Sequence, residues 1–265
     1  MVNPENGLPV GQENINTNIV TLSRFLPKEQ TKYPEAPGDF TLLCHALQFS
    51  FKSIAYYIRR APLINLTGLL DVISNDIFIS AMRGSGKCRI LISEEEENLI
   101  KFGEYPNASY AVVCDSINGS SNLDASVSVG TIFGIFQLPK ELLGAGKEVG
   151  PTLFYILLII TVRGGGVNGF TLENSLGEFI LTHPNMRIPN SRAIHSVNEV
   201  VSSLILYECA PMAMVFENAG GLAVNSRMEP LMGFILEHIH DKSGVFLVSK
   251  KEVHKVIDMY HKYKK

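Results

Sequence analysis

Tyr110-Ala111-Val112-Val113-Cys114-Asp115-Ser116-Ile117-Asn118-Gly119-Ser120-Ser121-Asn122-Leu123-Asp124 is a short apolar run that ends in an acid and passes at once into an amide and a Gly-Ser-Ser turn. Tyr110 to Cys114 is rich in β-branched and aromatic residues and reads as a buried strand. The oxygens that follow it have a chemical use. Turn N–H groups such as those of Gly119, Ser120 and Ser121 cradle a phosphate oxygen, above all where the turn leads into a helix or a nest. Acid ligands on one side and amides on the other suit phosphoryl transfer, which needs positioning and neutralisation of the phosphoryl charge.

Two more apolar runs end in the same way. Cys88-Arg89-Ile90-Leu91-Ile92-Ser93 leads into Glu94 and Glu95, and Leu204-Ile205-Leu206-Tyr207 leads into Glu208. In α/β sheets ligands gather beyond the carboxyl ends of strands, so three acidic strand ends predict one cluster. Hard oxygen ligands of this kind prefer Mg²⁺ or Mn²⁺. The run Glu94 to Glu97 by itself would be a solvated face, and only its position after a β-run argues for more.

Helical patterns flank the strands. Asp39 reads as the N-cap of a run with Leu42, Leu43, Ala46, Leu47, Ile54 and Tyr57 at helical spacing, ending at Arg59 and Arg60. A second helix is expected from Asp71 to Met82, and a third from Cys209 to Ala219, stopped by Gly220-Gly221. A basic helix closes the chain from Lys251 to Lys265, with Val253, Val256, Ile257 and Tyr260 on one face. The alternation makes this an α/β protein.

Composition narrows the functional class. The 265 residues are 46% hydrophobic and 18% charged, which excludes a disordered tail, a collagen-like fibre and a coiled coil. With 23 basic and 26 acidic residues the formal net charge is −3, so no positive field draws in nucleic acid or anionic lipid. Leu153 to Val162, the longest uncharged apolar stretch, is too short to cross a bilayer and reads as a buried strand or short helix. Residues 1–18 lack a signal pattern and read as a flexible tail. Cys44, Cys88, Cys114 and Cys209 are widely spaced in apolar runs, as buried thiols of a cytoplasmic protein are. Cys114 is expected to be inert, His238 and His240 to be exposed loop histidines, and Gly164-Gly165-Gly166 to be a flexible turn.

Asp115 to Asp124, followed by Val127-Ser128-Val129-Gly130-Thr131-Ile132-Phe133-Gly134-Ile135, closely resembles the metal and phosphate signature of the fructose-1,6-bisphosphatases. The resemblance extends through Val20 to Arg60, Leu70 to Glu95, Gly166 to Glu199 and Leu206 to Gly221, and its wording at Glu178 to Pro184 is that of the eukaryotic cytosolic branch. It implies a layered α-β-α sugar-phosphatase fold with a truncated C-terminal part. Its parts would be a regulatory and metal-site domain over 19–185 and a shortened catalytic-type domain over 186–265. It further implies Mg²⁺-dependent (or Mn²⁺-dependent) hydrolysis of the 1-phosphate of fructose 1,6-bisphosphate, a role in gluconeogenesis, and a homotetramer.

By the same resemblance Glu94, Asp115, Glu208 and the carbonyl of Ile117 fall on metal ligands, with Asn118 at a further ligand position. Glu95, also counted among the metal residues, and Asp76 match the carboxylates that activate water. Asn118, Gly119, Ser120 and Ser121 match the 1-phosphate loop, and Asn198 the start of the 6-phosphate site. Val20, Thr21, Arg24, Gly38, Thr41 and Tyr110 match an allosteric AMP pocket.

The pattern also breaks. Asn118 stands where the family carries a metal-bridging Asp, Ser116 replaces the usual Pro, and Gln137 stands where an AMP-contacting Arg is common. Leu69 runs into Leu70 without the usual flexible loop. After Asn198-Glu199 the family continues for roughly 60–70 residues, far beyond loop variation; here Glu199 runs almost directly into Leu204, with Ser202 where a substrate-binding Lys is expected. A catalytically inert relative, acting as an oligomer partner or an AMP- or metal-binding module, is therefore the second reading. An inositol-phosphate phosphatase, which shares the carboxylate logic, fits the Gly38-Asp39 and His183-Pro184 contexts less well. Loss of a block of sheet leaves unpaired edges and predicts poor stability.

Overall fold

A computed structural model of the chain describes residues 19–64, 67–120, 129–138, 167–189, 203–232, 236 and 238–263. The expected tail over 1–18, the apolar run from Leu153 to Val162, the triple-glycine turn, Ser121 and Asn198 lie outside them.

The apolar runs around the quoted stretch build the central sheet. Strands β1 (Cys88–Ser93), β2 (Ile100–Lys101), β3 (Tyr110–Asn118) and β4 (Gly130–Gln137) lie in the order β2-β1-β3-β4. β1 and β3 run parallel and the other two pairs are antiparallel. Every residue of β1 is buried, as expected of a strand covered on both faces. Alternation along β3 divides its side chains between two cores. Tyr110, Val112 and Cys114 pack with Leu43, Leu47, Phe78 and Met82 of two helices, α2 (Asp39–Ile64) and α3 (Leu70–Ser85). Ala111 and Val113 face Leu206, Tyr207 and Ala213 on the other side. The arrangement is helix, sheet, helix, in agreement with the layered α/β expectation.

Helix α1 (Leu22–Gln30) and the hairpin β5 (Val167–Glu173) and β6 (Glu178–Met186) pack beside α2. Phe25 meets Phe170 edge to face with ring centroids 5.3 Å apart, and the Ser23 hydroxyl donates to Glu178. Past the central sheet come β7 (Ser203–Leu204), α4 (Ala210–Asn218), β8 (Gly221–Asn225), β9 (Lys242–Ser243), β10 (Val245–Ser249) and α5 (Lys250–Tyr263). β8 pairs with β10 and β7 with β9, both antiparallel.

Several local expectations change. Gly38, not Asp39, caps α2: its carbonyl accepts from the Leu42 N–H, its φ is +79°, and Asp39 is the first helical residue, paired with Lys87 at 2.8 Å. The helix runs on past Arg59 and Arg60 to Ile64 because Ala61 is buried and continues the inner stripe, while Leu42 lies outside it, half exposed. Leu204 to Tyr207 is not a strand. Only Ser203 and Leu204 find a partner strand, and Ile205–Cys209 coils into a π-helical turn, with the Ala210 N–H donating to the Ile205 carbonyl. Among the described residues the pairing with β9 stops at Leu204, and beyond it the backbone satisfies itself within the turn. All four cysteines are buried and free, and burial pushes the thiols of Cys44, Cys88 and Cys209 up to about 12 and raises that of Cys114 as well. The expected inertness of Cys114 is consistent with this environment.

Candidate active site

Four side chains expected to meet do meet. Glu94 follows β1 directly, and its N–H donates to the Cys114 carbonyl of β3 at 3.1 Å. Asp115 and Asn118 lie on β3 itself, and Glu208 lies in the π-helical turn. Asp115 is thus inside its strand, not beyond the end, because β4 continues the ladder to Ile132 opposite it. Between Asp115 and Asn118 the register slips, three steps on β3 matching two on β4. That bulge decides the geometry: in a regular strand residues three apart point to opposite faces, and the extra residue brings Asn118 to the same side as Asp115. The Asn118 Nδ2 donates to Asp115 Oδ2 at 2.8 Å and to Glu208 Oε1 at 2.8 Å. Glu208 Oε2 accepts from the Leu204 N–H.

Burial, then the neighbouring Asp115, pushes Glu94 up to about 8, and Glu208 and Glu95 add to the rise. Burial also raises Asp115, and hydrogen bonds from Asn118 and Glu94 pull it back. Tyr207, fully buried beside the same acids, is raised by burial and then by Glu94 and Glu208. Its hydroxyl lies 2.6 Å from Nδ1 of His240, which is half-buried here and not the exposed residue expected; His238 is exposed, as expected.

A second group of acids flanks the first. Glu95 is raised by burial and then by Asp71, whose Oδ1 is buried without a hydrogen-bond partner. Asp76, expected beside Glu95, instead faces outward from α3. Asp71 is the residue that sequence reasoning missed. It shares the i, i+4, i+7, i+11 stripe with Asn75, Phe78 and Met82, all three buried, and Asp76 does not. Asn75 fixes the turn after β1, accepting from the Ser93 hydroxyl at 2.7 Å and donating to Glu96 at 2.8 Å.

Gly119 has φ +83°, a conformation that any side chain would strain, and it turns the chain from Asn118 toward Ser120. The residues matched to an AMP pocket fall into two groups. The Val20 carbonyl accepts from the Leu181 N–H of β6 and Thr21 caps α1, accepting from the Arg24 N–H, so these three lie at the start of that helix. Gly38 and Thr41 lie at the start of α2 near its other end, where Thr41 donates to Gln30 at 2.8 Å and Phe40 packs on Tyr110. Gln137 pairs with Tyr110 across the sheet.

The donor set, three carboxylates and an amide with the orphaned oxygen of Asp71 nearby, has the chemistry of a divalent-cation site. Among the described residues no three His, Cys, Asp or Glu side chains already close on one point. The amide nitrogen of Asn118 stands between two of the acids, so a cation would be held by Glu94, Asp115 and Glu208 once that amide turned its oxygen inward.

The chain is similar to known proteins over most of its length. Residues 20–184 match the family model described as fructose-1-6-bisphosphatase, N-terminal domain, and residues 197–261 match that of the C-terminal domain. The fructose-1,6-bisphosphatase of Saccharomyces cerevisiae is 39% identical over 331 aligned positions, covering 93% of this chain and 94% of that one. The cytosolic fructose-1,6-bisphosphatase of Arabidopsis thaliana is 32% identical over 92% of this chain and 95% of its own. The crystal structure of the Leishmania major fructose-1,6-bisphosphatase in the T-state superposes with a TM-score of 0.81 at 30% identity, covering 92% of this chain and 99% of that one. An alignment of 331 positions over a 265-residue chain must pass across gaps, which bears out the truncation.

Proposed function

Because the chain belongs to the fructose-1,6-bisphosphatase family, we propose that it hydrolyses the 1-phosphate of fructose 1,6-bisphosphate, giving fructose 6-phosphate and phosphate, with Mg²⁺ (or Mn²⁺) as the cation. The observation that carries the reading is the meeting of Glu94, Asp115 and Glu208 around Asn118, beside Gly119. A divalent ion held there would neutralise the phosphoryl oxygens and lower the cost of charge on the leaving oxygen. The chain's own residues do the rest. The N–H groups at Gly119 and Ser120 orient the 1-phosphate, and Ser121 and Asn198 are assigned to substrate by resemblance alone. Glu95, its pKa raised by burial and then by the like charge of Asp71, accepts a proton from the attacking water as its oxygen bonds to phosphorus and the bond from phosphorus to the sugar oxygen breaks. The departing sugar oxygen takes up a proton to complete the balance.

Residues 19–185 would form the regulatory and metal-site region and 186–265 the shortened catalytic part, with AMP as a ligand and a homotetramer as the assembly. A cytoplasmic setting is supported by the cytosolic plant relative, and among the described residues no helix is long and apolar enough to cross a membrane. The inert-relative reading is favoured by one observation: Asn118 hydrogen-bonds the acids that should be free to take the cation.

Phosphate release from fructose 1,6-bisphosphate by the purified chain with Mg²⁺ decides between them. The first reading expects release that Glu94→Gln abolishes. No release at any Mg²⁺ or Mn²⁺ concentration overturns it in favour of the second.

A further inference from the structure

We infer that the side-chain amide of Asn118 takes the place of a cation in this cluster, tying Asp115 to Glu208 so that the site keeps its shape without metal and admits a divalent ion only when the amide turns away. The inference rests on the reading of the cluster as a metal site.

Both hydrogens of one NH₂ group are used on carboxylates 2.8 Å away, from segments far apart in the chain. An ionised carboxylate accepts and does not donate, so the chemistry of the partners fixes which end of the amide faces them. Turned the other way, Asn118 would add an acceptor to a pocket of acceptors. The remaining acceptor positions near it are also in use: Glu208 Oε2 accepts from the Leu204 N–H, and Asp115 from the Ile117 N–H. The amide therefore supplies the positive end that the acids would otherwise take from an ion.

Carboxylate and amide at position 118 then have opposite consequences. A carboxylate would repel its neighbours when no ion is bound and attract the ion strongly. The amide gives order without the ion, and binding must first break two charge-assisted hydrogen bonds and turn the amide by about half a rotation. This chain has exchanged metal affinity for a site that is assembled when empty. It also keeps the turn at Gly119 in place, since Asn118 is the residue before it.

The test compares melting temperatures of the full chain, Asn118→Asp and Asn118→Ala in EDTA and in excess Mg²⁺ or Mn²⁺, with Mn²⁺ affinity measured by electron paramagnetic resonance. The parent should melt at nearly the same temperature with and without the ion. Asn118→Asp should melt about 3–6 °C lower in EDTA, recover with the ion, and bind Mn²⁺ ~10-fold more tightly. Asn118→Ala, which loses the bridge without gaining charge, should also melt lower in EDTA. An Asn118→Asp protein as stable as the parent in EDTA, or a parent that gains as much from the ion as Asn118→Asp, overturns the inference. A loss in EDTA that no ion repairs supports the bridge and overturns the metal reading instead. Should the variants not fold, the parent's own Asn118 side-chain amide protons decide: slow exchange in EDTA supports the bridge, and exchange at the rate of an exposed asparagine refutes it.

Discussion

Asp71 and Asp76 show how much can turn on a single residue. They are five positions apart on α3, about 140° around the helix, so only one can face the end of the sheet. The structure gives that place to Asp71, beside Glu95 and with an oxygen left without a partner; Asp76 faces outward. A buried acceptor kept without a donor costs on the order of 1–3 kcal/mol, and such a cost persists where chemistry needs it. Asp71→Asn is accordingly expected to raise the melting temperature in EDTA while reducing phosphate release by about 10²-fold or more. Asp76→Asn should change neither. Thermal melts and initial rates on the two variants check this; equal effects of both would show that Asp71 does not act on Glu95.

The elements were unevenly legible. β1 was readable to the residue because the apolar run Ile90-Leu91-Ile92 suits a strand covered on both faces, and Gly220-Gly221 marked the end of α4 because Gly220 has φ +94°. The bulge in β3 left no such mark, since it arises from the pairing with β4, yet it is what turns Asn118 toward Asp115. The π-helical turn was equally hidden: Leu204-Ile205-Leu206-Tyr207 has strand composition, yet among the described residues its pairing with β9 stops at Leu204 and the chain coils from Ile205. Gly221 shows a tight constraint that sequence suggests only as a helix stop. A Cβ there would lie 2.9 Å from the Val248 carbonyl oxygen and 3.0 Å from that of Phe216, both backbone atoms that cannot step aside. Gly221→Ala should therefore destabilise the chain by about 1–3 kcal/mol, read from urea denaturation. An unchanged midpoint would mean that the β8–β10 pairing tolerates displacement.

For the whole molecule the question is what covers the outer face of α2. Leu43, Leu47 and Ile54 face inward, but Leu42, Phe49 and Tyr56 are 51%, 61% and 46% exposed. They are spaced seven residues apart on a 26-residue helix, so they form one nearly straight stripe. Three large side chains aligned in this way are more than the scattered apolar residues of an ordinary surface. Burying each would contribute about 1.5–3 kcal/mol, enough in sum to favour association through this face. A second copy of the chain is the natural cover, in keeping with the oligomer that the family resemblance implies. Among the described residues the pairings β8–β10 and β7–β9 have two strands each, and edges of that kind gain from packing against a neighbour. Light scattering of the purified chain is thus expected to give a multiple of the single-chain mass. Phe49→Glu, which would bring a charge into the centre of the stripe, should shift that mass toward one chain while leaving the circular dichroism spectrum intact. A parent protein that stays monomeric at high concentration would remove α2 as an assembly face and leave its exposed stripe without a partner.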